Sequence, residues 1–195
     1  MAPRSRGKRY AWLDPSSAYI NTHSFNAIID DLVRPFCVDS IDVVAGIDAA
    51  GFVLAGALAV RLNKGVLTLR KGGKVPVAYD VVSMVNYSAQ TQELEMRKPA
   101  FSSGTKVLLV DQWIETGGTM DAAMRLIERQ GGVVAGIAVI CVEENTFTNQ
   151  MRKKYKVSSC VLPDSDLQSQ CNQQTLNSFA KFNPESCFPD TDEKN

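Results

Sequence analysis

The chain has 195 residues, 45% of them hydrophobic, which suits one domain with a sizeable core plus short appendages. Its 21 Lys and Arg balance 21 Asp and Glu, so no global field draws it to nucleic acid or to a membrane surface. No apolar run approaches the ~20 residues of a membrane span, and no signal-peptide core follows Met1. Five cysteines, an odd number without metal-ligand spacing, fit reduced thiols in a cytoplasmic protein.

Arg4, Arg6, Lys8 and Arg9 form a local basic stretch that reads as a solvated tail. Helical spacing of Phe25, Ile28, Ile29, Leu32 and Val33 predicts a helix over 25–36 that stops at Pro35. His23, the sole histidine, lies just before it and reads as a surface or capping residue. A strand over 41–46 runs into the loop Ile47-Asp48-Ala49-Ala50-Gly51, and an alanine-rich helix over 52–62 leads to a strand over 66–69. Segments 79–87 and 93–96 read as two arms of a β-ribbon. A central strand over 106–110, a helix over 120–130 and a strand over 136–142 follow, then a short helix over 149–155 and a strand over 157–161.

Strand–helix–strand alternation with short links predicts an α/β fold with a mostly parallel central sheet flanked by helices. In this organisation 1–22 form a tail and part of a hood, 23–165 the core, and 166–195 a C-terminal extension. Residues 183–195 are rich in proline and charge and are expected to be disordered. Cys37 and Cys141 read as core, whereas Cys160, Cys171 and Cys187 read as incidental.

The most informative run is Val107-Leu-Leu-Val-Asp111-Gln112-Trp113-Ile-Glu115-Thr116-Gly117-Gly118-Thr119. An apolar strand closes on a carboxylate and turns through two glycines into a helix. Glycines let the backbone approach an anion closely, and first-turn N–H groups have no intrahelical partner. Threonine hydroxyls add donors, and Asp111 is an acceptor suited to sugar hydroxyls or magnesium. The spacing of an NTP-binding P-loop is absent. Trp113 either packs beneath the turn or stacks on a ligand.

This run resembles the phosphoribosyl-diphosphate (PRPP) signature of type I phosphoribosyltransferases, in which hydrophobic residues and two acids precede Thr-Gly-Gly-Thr. Three further segments resemble the adenine phosphoribosyltransferase branch. Ala45-Gly46-Ile47-Asp48-Ala49-Ala50-Gly51-Phe52 is similar to its pyrophosphate loop, and Leu69-Arg70-Lys71-Gly72-Gly73-Lys74-Val75-Pro76 to its basic segment. Glu93-Leu94-Glu95-Met96 matches the descending arm of its flexible hairpin. The resemblance implies a small hood over the base, a flexible β-ribbon, a homodimer, and transfer of the 5-phosphoribosyl group of PRPP to a purine base, adenine foremost, with magnesium.

By the same resemblance Thr116, Gly117, Gly118 and Thr119 hold the 5-phosphate, and Asp111 and Gln112 meet the ribose. Ala49, Ala50, Arg70, Lys71 and Lys74 face the diphosphate, and Tyr87 belongs to the closing hairpin. Tyr10, Trp12 and Tyr19 belong to the hood. Magnesium is expected to arrive with PRPP, with Asp111 as its one candidate protein ligand.

The chain departs from the family pattern at four positions. Gln112 replaces the second acid, Ala50 an arginine, and Asn86 a glutamate. Losing one charge-assisted contact costs ~1.5–3 kcal/mol, about ten- to a hundredfold in turnover. Glu115 stands where adenine enzymes have a small residue. It reads either as a contact to the incoming base, acting as acceptor or general base, or as a surface glutamate favouring the positive end of the next helix. Two functions are therefore open: an active purine phosphoribosyltransferase with reduced turnover, or a non-catalytic homologue that senses PRPP or a nucleotide or serves as a partner subunit.

Overall fold

A computed structural model of the chain describes residues 2–6, 10–85 and 91–171, with side chains from Pro15 onward apart from residue 170. Strands β1 (Ala2–Arg6) and β2 (Tyr10–Asp14) pair antiparallel, with Arg4 opposite Trp12. The basic residues Arg4 and Arg6 thus lie on a strand paired with the one that follows. Lys8 and Arg9 lie outside the described residues. The short helix α1 (Ser17–Ile20) leads into α2 (Thr22–Val33), whose cap is Asn21: its side chain accepts the Ser24 N–H at 2.9 Å. This cap starts the helix three residues ahead of its first apolar position. His23 is exposed in the first turn, in keeping with a surface role.

The main sheet contains β3 (Val43–Ile47), β4 (Gly65–Lys71), β5 (Tyr79–Val85), β6 (Thr91–Arg97), β7 (Lys106–Ile114), β8 (Val133–Val142) and β9 (Val157–Ser159) in the order β5-β6-β4-β3-β7-β8-β9. From β4 to β9 neighbouring strands run parallel, while β6 and β5 add an antiparallel ribbon to the β4 edge. The ribbon matches the two expected arms, and its tip, residues 86–90, lies outside the described residues.

Helices cover both faces. On one, α3 (Ala50–Leu62) presents Leu54, Ala55, Leu58, Ala59 and Leu62 to Val44, Leu108 and Val110, with α2 beside it. Its apolar stripe has 3.6-residue spacing, and it ends at Asn63 in the left-handed conformation (φ 54°), a position where asparagine is tolerated. On the other face α4 (Gly118–Arg129) lays Met120, Ala123, Met124 and Ile127 against Ala45, Leu109, Val107 and Leu94. Helix α5 (Thr146–Lys154) carries Met151 into the same core. Among the described residues no helix is long and apolar enough to cross a membrane.

Helix α6 (Asp166–Cys171) returns to the sheet. Gln168 Nε2 donates to the Val142 carbonyl at 2.9 Å, and Cys171 packs with Cys141 and Val161 against Trp113. The cysteine expectations change accordingly. Cys141 is core, but Cys37 is exposed, just past the end of α2. Cys171 is not incidental: it is buried and shares a hydrogen bond with Cys141, which together with burial pushes the Cys141 thiol well above its ordinary range. Cys160 is half-buried against the α2–α3 core. Cys187 and residues 183–195 lie outside the described residues.

Candidate active site

Parallel pairing of β4, β3, β7 and β8 brings four loops to one edge of the sheet. They are 48–50 after β3, the turn after Lys71, 115–117 after β7 and 143–145 after β8. In open α/β sheets the carboxyl ends of the strands are where ligands bind.

Strand β7 runs past its expected end at Val110. β8 continues beside it, pairing Asp111 with Val139, Trp113 with Cys141 and Ile114 with Val142. The polar triplet at 111–113 is therefore held in a ladder rather than in a loop. The chain then turns at Gly117, which has φ 90° and caps α4 without any side-chain hydrogen bond. The first-turn amides of α4 thus face the edge with no acceptor inside the helix. A Cβ at Gly117 would run into the ring of Phe147, and one at Gly118 would lie 2.6 Å from the Val85 carbonyl oxygen. Glycine is required at Gly117 by both conformation and space.

The neighbouring turn holds this one in place. Asn145 Nδ2 donates to the Glu115 carbonyl at 2.7 Å, and the Glu143 amide donates to the Ile114 carbonyl at 2.8 Å. Asn145 and Thr148 form a reciprocal capping box at the start of α5. Trp113 Nε1 donates to Glu143 Oε1 at 2.9 Å, so the indole packs beneath the turn instead of stacking over the cleft.

Asp111 is half-buried at the end of the sheet. Desolvation pushes its pKa from the ordinary 3.8 up to about 7; the backbone N–H of Gln112 and the charge of Lys71 oppose that rise, and Glu115 adds to it. The Gln112 amide donates to Asp111 Oδ1 at 2.7 Å, and Gln112 Nε2 donates to the Tyr19 hydroxyl at 2.8 Å. The start of α3 lies directly on this carboxylate: a Cβ at Gly51 would come within 2.7 Å of the Val110 carbonyl oxygen and 3.5 Å of Asp111 Oδ1. The Asp48–Ala49 peptide bond is cis, and Ala49 is exposed with Ala50 half-buried beside it.

The basic segment has two kinds of member. Lys71 is exposed, and its charge is felt at Asp111. Lys74 Nζ lies 3.5 Å from Asp48 Oδ2, which also accepts the Lys71 amide at 3.3 Å. Arg70 instead turns back on its own loop, donating from Nη1 to the Lys74 carbonyl at 2.9 Å. Glu95 lies beneath that loop, 2% exposed, and accepts the amides of Gly73, Lys74 and Val75 at 2.6, 3.1 and 3.2 Å.

One edge therefore gathers Asp111, Gln112, Glu115, Thr116, Gly117, Gly118, Thr119, Ala49, Ala50, Lys71 and Lys74; Tyr87 lies outside the described residues. Sequence reasoning missed Tyr19 as the partner of Gln112, Asn145 and Phe147 as the cover of the glycine turn, and Glu95 as the support of the basic loop. The Asn145-x-x-Thr148 spacing is the local signal that could have found Asn145, and it starts α5 three residues before the expected 149.

A glycine-capped helix start, the carboxylate of Asp111 and a basic loop lie together at the carboxyl ends of a mostly parallel sheet. The phosphoribosyl transferase domain model matches residues 20–178, and the chain belongs to the phosphoribosyltransferase family. Its relatives include the adenine phosphoribosyltransferase of Salinispora tropica, 46% identical over 118 residues, which are 60% of this chain and 62% of that protein. The chain thus aligns with about three-fifths of that relative's length. The adenine phosphoribosyltransferase structure from Rhodothermus marinus is similar with a TM-score of 0.67 and 33% identity, covering 75% of this chain and 83% of that one. The enzyme from Saccharomyces cerevisiae, solved with an imino-altritol bisphosphate and adenine, is similar with a TM-score of 0.70 and 25% identity over 80% of this chain and 89% of that one. The mostly parallel core with an antiparallel ribbon at its edge is the type I phosphoribosyltransferase fold.

Proposed function

We propose that the protein transfers the 5-phosphoribosyl group of PRPP to a purine, adenine foremost, giving AMP and pyrophosphate at a reduced rate. The observation that carries this reading is the meeting, at one sheet edge, of a glycine-capped helix start, the carboxylate Asp111 and the charge of Lys71. The Thr116–Thr119 turn offers amides and hydroxyls to the 5-phosphate throughout the reaction. The bond from C1 to diphosphate breaks with its electron pair leaving on the diphosphate. A purine nitrogen lone pair forms the new bond to C1, and Glu115 is the candidate acceptor of the proton the base gives up. Asp111 orients the ribose and, as an anion, stabilises the cationic ring. Lys71 and Lys74 neutralise the departing diphosphate, with Ala49 and Ala50 on the loop beside it. Tyr87, by resemblance, belongs to the cover that excludes water.

Among the described residues no group of three or more His, Cys, Asp or Glu side chains is placed to hold a metal. Magnesium keeps several waters and binds through one or two carboxylates plus substrate phosphates, a need that the single carboxylate of Asp111 could meet. Asp111 would hold it on the protein side, and the ion would supply positive charge to offset the negative charge of the departing diphosphate. We also propose a cytoplasmic homodimer, supported by the outward side of α3, where Val53 and Val60 are 50% and 84% exposed. Sedimentation at micromolar concentration tests it.

A second reading, a PRPP- or nucleotide-binding homologue acting as sensor or partner subunit, is favoured by Ala50, which offers no guanidinium, and by Arg70, one of whose N–H groups is given to the Lys74 carbonyl. Ground-state anchoring survives such losses better than transition-state stabilisation does. Pyrophosphate release from PRPP and magnesium, assayed with each purine, decides between them. Release with adenine supports the enzyme; AMP binding by calorimetry with no turnover for any base supports the sensor.

A further inference from the structure

We infer that Tyr19 is a positioning residue that sets Gln112 as a neutral hydrogen-bond acceptor for one ribose hydroxyl, an inference that rests on the function proposed above. Tyr19 comes from α1, outside the sheet and 93 positions away in sequence. Its ring leans on Phe25 with centroids 5.5 Å apart and packs against the α2–α3 core, so the phenol oxygen is carried on a supported side chain. That oxygen takes the amide N–H of Gln112 at 2.8 Å.

The chemistry of an amide makes this bond consequential. A carboxylate at position 112 would accept from a sugar hydroxyl through either oxygen, so its rotation about the last bond would not matter. An amide has one oxygen and one NH2, and a 180° turn exchanges an acceptor for a donor. Asp111 beside it is an acceptor and receives the backbone N–H of Gln112 at 2.7 Å, which holds the main chain of this residue. With Nε2 fixed on Tyr19, Oε1 is the end of Gln112 left to receive a ribose O–H. Without the phenol the amide loses its anchor, and Oε1 is no longer held in place to meet a ribose O–H. The loss of the second acid and the tyrosine on α1 thereby become one device.

The test compares AMP, 2′-deoxy-AMP and 3′-deoxy-AMP by calorimetry on the full chain, Tyr19→Phe, Gln112→Ala and the double variant. The wild-type protein is expected to prefer AMP over one of the deoxynucleotides by about tenfold, the worth of one well-made hydrogen bond. Tyr19→Phe is expected to weaken AMP about three- to tenfold while leaving that deoxynucleotide unchanged, so that discrimination narrows. In the Gln112→Ala background Tyr19→Phe is expected to be silent. A purely architectural tyrosine would weaken all three ligands alike, and that result overturns the inference, as does a Tyr19→Phe effect that persists without Gln112. Wild-type protein that binds AMP with an unaltered preference in Tyr19→Phe sinks this inference alone. Wild-type protein that binds none of the three sinks the proposed function and the inference with it.

Discussion

The carboxylate of Glu95 and the backbone of Gly73 meet at 2.6 Å, with the amides of Lys74 and Val75 converging on the same carboxylate. The basic loop is therefore wrapped around an anion supplied from β6. The Gly73 bond is the largest influence holding the Glu95 carboxyl below its ordinary 4.5, against the opposing cost of burial. Its cover is the loop itself, so Glu95 ties the position of Lys71 and Lys74 to the ribbon.

Replacing Glu95 by Gln keeps the shape but sets an NH2 against backbone donors. Such a change is expected to cost ~1–3 kcal/mol in urea unfolding and to raise the KM for PRPP. Because the folded pKa is depressed, the Glu95 contribution is present above pH 4.5 and lost as pH falls through the lower folded value. The stability gap between wild type and Glu95→Gln should accordingly close in acid. A gap independent of pH would show that the charge of Glu95 is not what organises the loop.

Asp111, raised to about 7, predicts a pH profile. A ribose-orienting anion requires the ionised form, so kcat/KM should rise with pH and inflect near 7 in the free protein. Glu115→Gln removes a neighbouring negative charge and should move that inflection down, whereas Lys71→Met should move it up. The stability consequence has the opposite sense. With the folded pKa above the unfolded one, the contribution of Asp111 is full below 3.8 and is lost as pH rises through about 7. Relative to Asp111→Asn, the unliganded wild-type protein should lose stability over that window, as followed by thermal unfolding.

Gly117→Ala tests the phosphate turn. Alanine at φ 90° is strained by about 1–2 kcal/mol, and its methyl group meets Phe147 as well. The expected result is loss of AMP and inorganic phosphate binding by tenfold or more, on the order of one strong hydrogen-bonding set misplaced. Adding Phe147→Ala relieves the collision but not the dihedral, so it should restore stability only in part. Full recovery of binding in the double variant would mean that space, not backbone conformation, selects glycine there.

Ala50→Arg adds a guanidinium at the start of α3, beside the Asp48 loop. If the missing charge limits turnover, kcat for pyrophosphate release should rise by about ten- to a hundredfold with little change in AMP affinity. Unchanged kcat, with PRPP bound, would place the limitation elsewhere, for instance at Gln112.

The amino-acid sequence by itself determined the layers and the phosphate turn. Apolar runs such as Val107–Val110 read as buried strands, the spacing of Leu54, Leu58 and Leu62 sets them on one helix face, and two adjacent glycines after a strand permit a close anion. These are local properties, written in consecutive residues. The tertiary structure decided the partners. Whether β7 stops at Val110 depended on β8 continuing alongside, and whether Arg70 faces outward or grips its own loop depended on where Lys74 returns. Glu95 beneath Gly73, Phe147 over Gly117 and Tyr19 on Gln112 join residues from different elements. No periodicity encodes such pairs, because hydrogen bonds and ring contacts across long loops are settled only when the layers close.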